Sequence, residues 1–322
     1  MTHVTENHLE AGMERIAAAI DINGQRITGA LIDETGALDA LYSAPTPIND
    51  GQTAILDTIK IVCQRVLEST DEPVSGIGIS TIGLVHHLNG RILYAKDELQ
   101  ILQDVPLAQI LQDELGLITR VENNVNAMAL AEAHLGAGQD VESFFYIYAD
   151  TDLNGAIVRD GQLLHGTHFS AGQIGELVAG WMSQKPILLS QKASGEGIVA
   201  EYSMRSRKFR VPVVRDILQF AHHGDQLAIR VVRDGAILLG LVLSPVISLL
   251  DPERVIVGGG LLQGGSSLWW DSFLNTLRES PLPALQEVDI MKAKMTDYPQ
   301  LVGAALLVLN DDDHPSALGD QA

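Results

Sequence analysis

Phe144-Phe145-Tyr146-Ile147-Tyr148-Ala149 is followed by Asp150-Thr151-Asp152-Leu153-Asn154 and then by Gly155-Ala156-Ile157-Val158-Arg159. Two apolar runs joined by a short polar link read as a hairpin-like pair of strands. The opening of the chain repeats the pattern. Residues 16–20 are apolar, Asp21-Ile22-Asn23-Gly24 interrupts them, and residues 28–32 resume the apolar run. Asp33-Glu34-Thr35-Gly36 marks a further turn, with another strand expected after it. One strand–polar turn–strand unit in each half predicts a duplicated α/β architecture.

Working outward, residues 52–68 place Ile55, Ile59, Ile61, Val62 and Val66 at helical spacing. Residues 76–80 alternate glycine with isoleucine and serine, as in a strand with close backbone neighbours. Residues 105–115 and 124–135 read as helices, with a short strand at 118–121 between them. Residues 227–250 form a long helical region, and 254–257 a strand running into Gly258-Gly259-Gly260. Helices are expected at 268–277 and at 301–309. No long linker interrupts this series, so two α/β domains should pack closely around a cleft. The expected division is a tail at 1–15, a first domain at 16–121 completed by the helix at 301–309, and a second domain at 122–300. An acidic tail at 310–322 holds Asp311-Asp312-Asp313.

The chain has 322 residues, enough for two domains with sizeable cores. Apolar residues make up 46% and charged residues 19%, the balance of a folded chain rather than a disordered one. Aromatics supply only 5%, which leaves the cores to Ala, Leu, Ile and Val. Twenty-one basic and 41 acidic side chains give a formal charge of −20. Such a polyanion repels phosphate backbones, so no direct nucleic-acid partner is expected. The single Cys63 excludes an intramolecular disulfide and any multi-cysteine zinc site, and its apolar-periodic surroundings read as those of a buried thiol. The opening MTHVTENHLEAGMERI lacks the basic-then-apolar pattern of a signal peptide. No apolar run reaches the ~18 residues of a membrane span. The most apolar stretch, 235–250, is short and contains Pro245 and two serines. A cytoplasmic setting without a membrane partner is the expectation.

Four stretches, in order along the chain, resemble a known family. They are Asp21-Ile22-Asn23-Gly24-Gln25-Arg26; Val121-Glu122-Asn123-Asn124-Val125-Asn126-Ala127; Gly161-Gln162-Leu163-Leu164-His165-Gly166 with Ala171-Gly172-Gln173-Ile174-Gly175-Glu176; and the run from Asp251-Pro252 through Arg254-Val255-Ile256-Val257 to Gly258-Gly259-Gly260. They are similar to the repressor, open-reading-frame, kinase (ROK) family of sugar kinases and sugar-responsive regulators, from about residue 16 to residue 309. The resemblance implies an α/β, two-domain, actin-like ATPase (ribonuclease H-like) fold. Its interdomain cleft would close over a sugar and ATP with Mg²⁺. It also implies a homodimer.

Sugar phosphorylation needs a carboxylate to take the hydroxyl proton, hydrogen bonds to orient the sugar, and backbone amides with Mg²⁺ to hold phosphates. The resemblance places Asn124 where the family has its catalytic aspartate. An amide has no useful basicity, and losing a general base costs a factor of about 10² to 10⁴. No catalytic residue is therefore intact, and a substitution by Asp150 or Asp152 would need a rearranged cleft. On the sugar side the resemblance points to Asn123, Asn124, Gln173 and Glu176, which alternatively form a satisfied polar network. A later family glutamate falls at Ser190. The family's cysteine-rich zinc loop is replaced by residues 181–189, so no metal and no structural zinc is expected.

On the nucleotide side it points to Asp21, Gly24, Thr151, Gly258, Gly259 and Gly260, with Arg26 as a nearby positive charge. Asp150 and Asp152 would face a triphosphate with like charge unless a metal bridged them. A solvated turn and a tight strand-to-helix turn are the competing readings of these two loops. His86-His87 and His222-His223 read as surface loop and helix residues, whereas His165 and His168, near Gln173, are further candidates for ligand contact.

Three functions follow from these expectations. The first is a sugar- or metabolite-binding or regulatory protein impaired in catalysis, with no certain cofactor. The second is an ATP-dependent hexose or N-acetylhexosamine kinase with a divergent site, using ATP and Mg²⁺. The third is a component of transcriptional regulation that does not touch DNA, because the segment before Asp21 is short and acidic for a helix-turn-helix domain.

Overall fold

A computed structural model describes residues 15–95, 97–206, 212–263, 267–279 and 282–310. Apart from Arg15 and Asn310, the two expected tails lie outside the described residues. The first half runs β1 (Ile16–Ile22), β2 (Arg26–Asp33), β3 (Leu38–Pro45), α1 (Gln52–Leu67), β4 (Val74–Thr81), β5 (Leu84–His86), β6 (Arg91–Tyr94), α2 (Leu107–Leu115), β7 (Thr119–Asn123) and α3 (Asn124–Leu135). Its sheet has the order β3-β2-β1-β4-β7, antiparallel through β3-β2-β1 and parallel through β1-β4-β7.

The second half runs β8 (Ser143–Ala149), β9 (Leu153–Arg159), β10 (Gln162–Leu163), β11 (Val178–Met182), β12 (Lys185–Leu188), α4 (Ser190–Ala193), α5 (Gly195–Ser206), α6 (Val214–His222), α7 (Gln226–Leu250), β13 (Arg254–Gly258), α8 (Leu268–Arg278), α9 (Pro283–Glu287), β14 (Asp289–Lys292) and α10 (Pro299–Leu309). Its sheet order is β10-β9-β8-β13-β14, again a meander of three strands extended by two parallel ones. The two sheets share one plan, which is the duplication that the paired polar turns indicate.

β1 is buried along nearly its whole length, because helices cover both faces of its sheet, and its sequence is accordingly continuous in apolar residues rather than alternating. α1 covers one face with Ile55, Ile59, Val62, Cys63 and Val66. Ile61, counted in the helical stripe from spacing, points outward and is 48% exposed. α10 covers the other face, where Leu301, Val302, Ala304 and Ala305 pack with Ala17, Ala19, Ala30 and Ile32. A Cβ at Gly78 would lie 1.8 Å from the Ala304 carbonyl oxygen, so α10 can rest on β4 only over a glycine.

α7 is the one helix among the described residues long and apolar enough to cross a membrane by length and composition. It is a core helix here, with Val231, Val232, Leu239, Leu243 and Ile247 in one cluster with Phe145, Ile147, Val255 and Phe273. α2 begins at Leu107 rather than 105, with Pro106 at its N-cap. Residues 181–189 belong largely to the antiparallel β11–β12 hairpin.

Candidate functional site

β7 ends in Glu122 and Asn123, and α3 starts at the next residue. The Asn123 side-chain oxygen accepts from the amides of Val125 at 2.9 Å and Asn126 at 3.3 Å, while its Nδ2 donates to Gly83 O at 2.7 Å. Asn123 is thus the N-cap of α3 and ties it to the β4–β5 link. Asn124, the next residue, is half-buried in the first turn of the helix.

Glu122, which composition and spacing did not single out, is more tightly held. Its Oε1 accepts from the Asn123 amide at 2.7 Å and from Asn126 Nδ2 at 2.9 Å. Its Oε2 lies 2.6 Å from His165 Nε2, and the Glu122 side chain is 2% exposed. Gln173 is half-buried and precedes the short turn Ile174–Glu176, while Glu176 is exposed. A Cβ at Gly175 would lie 2.4 Å from Leu153 O, so this turn rests directly on β9.

His86 and His87 are not the surface loop residues expected. The β5–β6 hairpin brings them against the loop that follows β10. The His87 and His165 rings stack with centroids 3.6 Å apart, and Phe169 lies 4.3 Å from His86 and 5.6 Å from His87. Burial, and then His165 beside it, lowers the His87 pKa to about 4, so its ring is neutral near pH 7. His168 is exposed and outside this group, and His222 and His223 are exposed at the end of α6.

The expected phosphate side begins at Asp21, near the end of β1. It accepts from Ser80 Oγ at 2.9 Å, Asn23 Nδ2 at 3.1 Å and, at long range, Gln300 Nε2 at 3.5 Å. Burial raises its pKa against the lowering effect of those bonds. Beside Gly24, Asn23 Oδ1 accepts from the amides of Gln25 and Arg26, both at 3.0 Å. The Arg26 guanidinium turns onto β3, donating to Ser43 Oγ at 2.7 Å and Ser43 O at 3.1 Å.

The β8–β9 turn is filled in the same way. Asp150 Oδ1 accepts from the Thr151 amide at 2.6 Å and its hydroxyl at 3.2 Å. Asp152 accepts from the Leu153 amide at 2.8 Å, and Asn154 from the Gly155 amide at 2.9 Å. Asp150 Oδ2 reaches across to accept from the Gly260 amide at 2.8 Å and from the Tyr148 hydroxyl at 3.2 Å. Burial and the adjacent Asp150 push the Tyr148 phenol pKa up.

Gly259 has φ +106°, and a Cβ there would lie 2.3 Å from Ala149 O. The Gly258–Gly260 turn is therefore a tight strand exit packed on the end of β8. Beside it lies a cavity of about 400 Å³ lined by Tyr148, Asp150, Gly259, Lys292, Tyr298 and Gln300. A second cavity of about 430 Å³, lined by Ile247, Asp251, Leu285 and Val288, sits at the far end of β13 and contains none of these groups.

A Mg²⁺-triphosphate needs open amides and a charge environment that welcomes anions. Here amides of both turns and of the glycine exit already face carboxylates or side-chain amides, and two of the occupants are anions. These residues do not fit the group. Among the described residues no set of three or more His, Cys, Asp or Glu side chains is grouped to hold a metal ion.

The sequence and the fold both match known proteins. A model of the ROK family matches residues 17–311. An N-acetylmannosamine kinase of Citrobacter koseri is 28% identical over 305 residues, which is 91% of this chain and 98% of that protein. A glucokinase of Halalkalibacterium halodurans is 27% identical over 276 residues, 79% of this chain and 83% of that protein. The crystal structure of a ROK hexokinase from Thermus thermophilus superposes with a TM-score of 0.79 and 26% identity, covering 92% of this chain and 99% of that one. The paired sheets are the two-domain actin-like ATPase fold of such kinases.

Proposed function

The chain belongs to the ROK family, and from that premise we propose that it binds a sugar or sugar-derived metabolite in its cleft as a regulatory protein, without transferring phosphate from ATP. The observation that carries this is the filling of the phosphate-type turns by Asn23, Asp150, Asp152 and Asn154. Phosphate oxygens would have to displace these acceptors and then lie beside two carboxylates, which like charge opposes. Asn124 adds a second, independent loss, because no carboxylate stands at the start of α3 to take a hydroxyl proton.

The ligand class follows from the relatives, named for glucose and N-acetylmannosamine: a hexose or an N-acetylhexosamine. Asn123, Asn124, Gln173 and Glu176 are the residues we assign to it, with Asn123 also capping the helix that Asn124 begins. We take residues 16–121 with 301–309, and 122–300, as the two domains whose closure signals the ligand. A homodimer and a cytoplasmic setting complete this reading. The charge of −20 argues against direct contact with nucleic acid. A role in transcription would then require a separate DNA-binding partner.

An active sugar kinase is the second reading. It is favoured by Asp21, which keeps its place at the end of β1 with Ser80 bonded to it. Thermal melts with hexoses and N-acetylhexosamines, each with and without Mg²⁺-ATP, separate the two. A ligand at 100 times its dissociation constant stabilises a fold by about 2.7 kcal/mol. Stabilisation by a sugar alone is expected. A further shift on adding Mg²⁺-ATP, with sugar-dependent ADP release, would overturn the proposal in favour of the kinase. No shift with any sugar would remove sugar binding altogether.

A further inference from the structure

Nδ1 of His86 and Nδ1 of His87 are buried with no protein partner. Buried polar atoms are nearly always paired, and an unpaired one asks what completes it. These two lie on rings that belong to one wall. His86 and His87 come from the first half of the chain, and His165 and Phe169 from the second. Glu122 fixes His165 from behind through the 2.6 Å contact, and its neighbour Asn123 caps the helix that begins with Asn124. The wall is thus tied through Glu122 to the junction of β7 and α3, where Asn124 stands.

A pyranose has an apolar C–H face and an equatorial rim of hydroxyls. Flat rings suit the face, and imidazole nitrogens suit the hydroxyls, as donor or acceptor according to tautomer. A sugar inserted between His87 and His165 would exchange ring–ring contact for ring–sugar contact, and its hydroxyls would supply partners for the two nitrogens. Charge sets a further limit. The Glu122 carboxylate already stands behind His165 at 2.6 Å, and the His87 pKa of about 4 leaves that ring neutral near pH 7. A phosphate or carboxylate brought to the wall would face the Glu122 carboxylate behind His165, and an unpaired buried charge is strongly disfavoured.

We propose that His86, His87, His165 and Phe169 form the recognition wall of the ligand site, and that this wall selects an uncharged pyranose over its phosphorylated or carboxylated derivative. The proposal rests on the sugar-binding reading above and names the class of ligand for it.

Isothermal titration of the full chain at pH 7 with glucose, N-acetylmannosamine, glucose 6-phosphate and glucuronate tests it. His86→Phe and His87→Phe keep a flat ring and delete the nitrogens. At least one neutral sugar should bind, each variant should bind it at least tenfold more weakly, and the two anionic sugars should bind at least tenfold more weakly than the neutral one. An unchanged Kd in the double variant, or tighter binding of an anionic sugar, overturns the wall while leaving sugar binding in place. Failure of every neutral sugar to bind the wild type takes away the sugar-binding reading and the wall together. Should the variants not fold, imidazole proton resonances of the wild-type chain decide. Saturating sugar must move the His86 and His87 signals, and unmoved signals overturn the proposal.

Discussion

Asn124 and Asp21 mark the two ends of the chemistry that this cleft would need, and each makes a separate prediction. A carboxylate at 124 would stand in the first turn of α3, where the helix N-terminus favours negative charge by about 0.3–1 kcal/mol. Asn124→Asp should therefore fold well. It should still show no ATP turnover, because restoring the base leaves the Gly260 and Thr151 amides occupied by Asp150. A coupled ADP-release assay checks this. A sugar-dependent rate more than about 10²-fold above the wild type would mean that the missing base alone silenced the site.

Asp21 predicts in the opposite direction. Burial raises its pKa, so the folded state binds its proton more tightly than the unfolded state does. Its contribution to stability is fully present below the unfolded carboxylate range and is lost as pH rises through the folded pKa. Asp21→Asn removes that loss, so in alkaline solution it should melt at the same or a higher temperature than the wild type. A markedly lower melting temperature for the variant would show that the carboxylate is held by interactions stronger than its burial cost.

At the level of elements, long periodic segments are the legible ones. The spacing of Ile55, Ile59, Val62 and Val66 predicts α1 almost to its ends, and the polar turns at Asp21–Gly24 and Asp150–Asn154 predict both hairpins. The β5–β6 and β11–β12 hairpins are too short to show alternation, and they are the elements that local pattern misses. Joints between distant elements leave no local trace at all. Glu132, on α3, is one of these. Its carboxylate is fully buried and accepts from the amides of Ala137 at 2.6 Å, Met295 at 2.7 Å and Lys294 at 3.3 Å. It joins the end of α3 to the segment that leaves β14 for α10, the helix that completes the first sheet. Each buried donor left unmade costs about 1–3 kcal/mol. Glu132→Ala should thus lose roughly 3 kcal/mol or more in urea unfolding, and Glu132→Gln, which keeps one acceptor oxygen, less. Equal stability of Glu132→Ala and the wild type would mean that water replaces the carboxylate without loss.

Across the whole molecule, the sequence pattern reads the two halves separately, and their contact is what it cannot show. Asn124 and the carboxylates of the second turn are visible as residue types in a motif. The ring wall is not, because His86 and His165 are nearly eighty residues apart and only the folded cleft brings their neighbours together. That contact is sensitive to pH. The His87 pKa is depressed to about 4 from its ordinary 6.5, by burial first and then by His165. Between those values the unfolded chain binds the proton and the folded chain does not. Stability therefore falls as pH drops through this window and levels off below it for this group. The charged and titratable groups around the ring are Glu122, His165 and His86, and protonating His87 would set it against the His165 ring stacked on it. Carboxylates elsewhere also lose stabilisation in acid, so the comparison must be made between variants. His87→Asn cannot take up the proton, and its melting temperature should fall less than that of the wild type between pH 7 and pH 5. Parallel falls would show that the ring titrates equally in both states. A smaller fall would mean that acid first loosens the molecule at the seam between its halves, where the ligand is expected to enter.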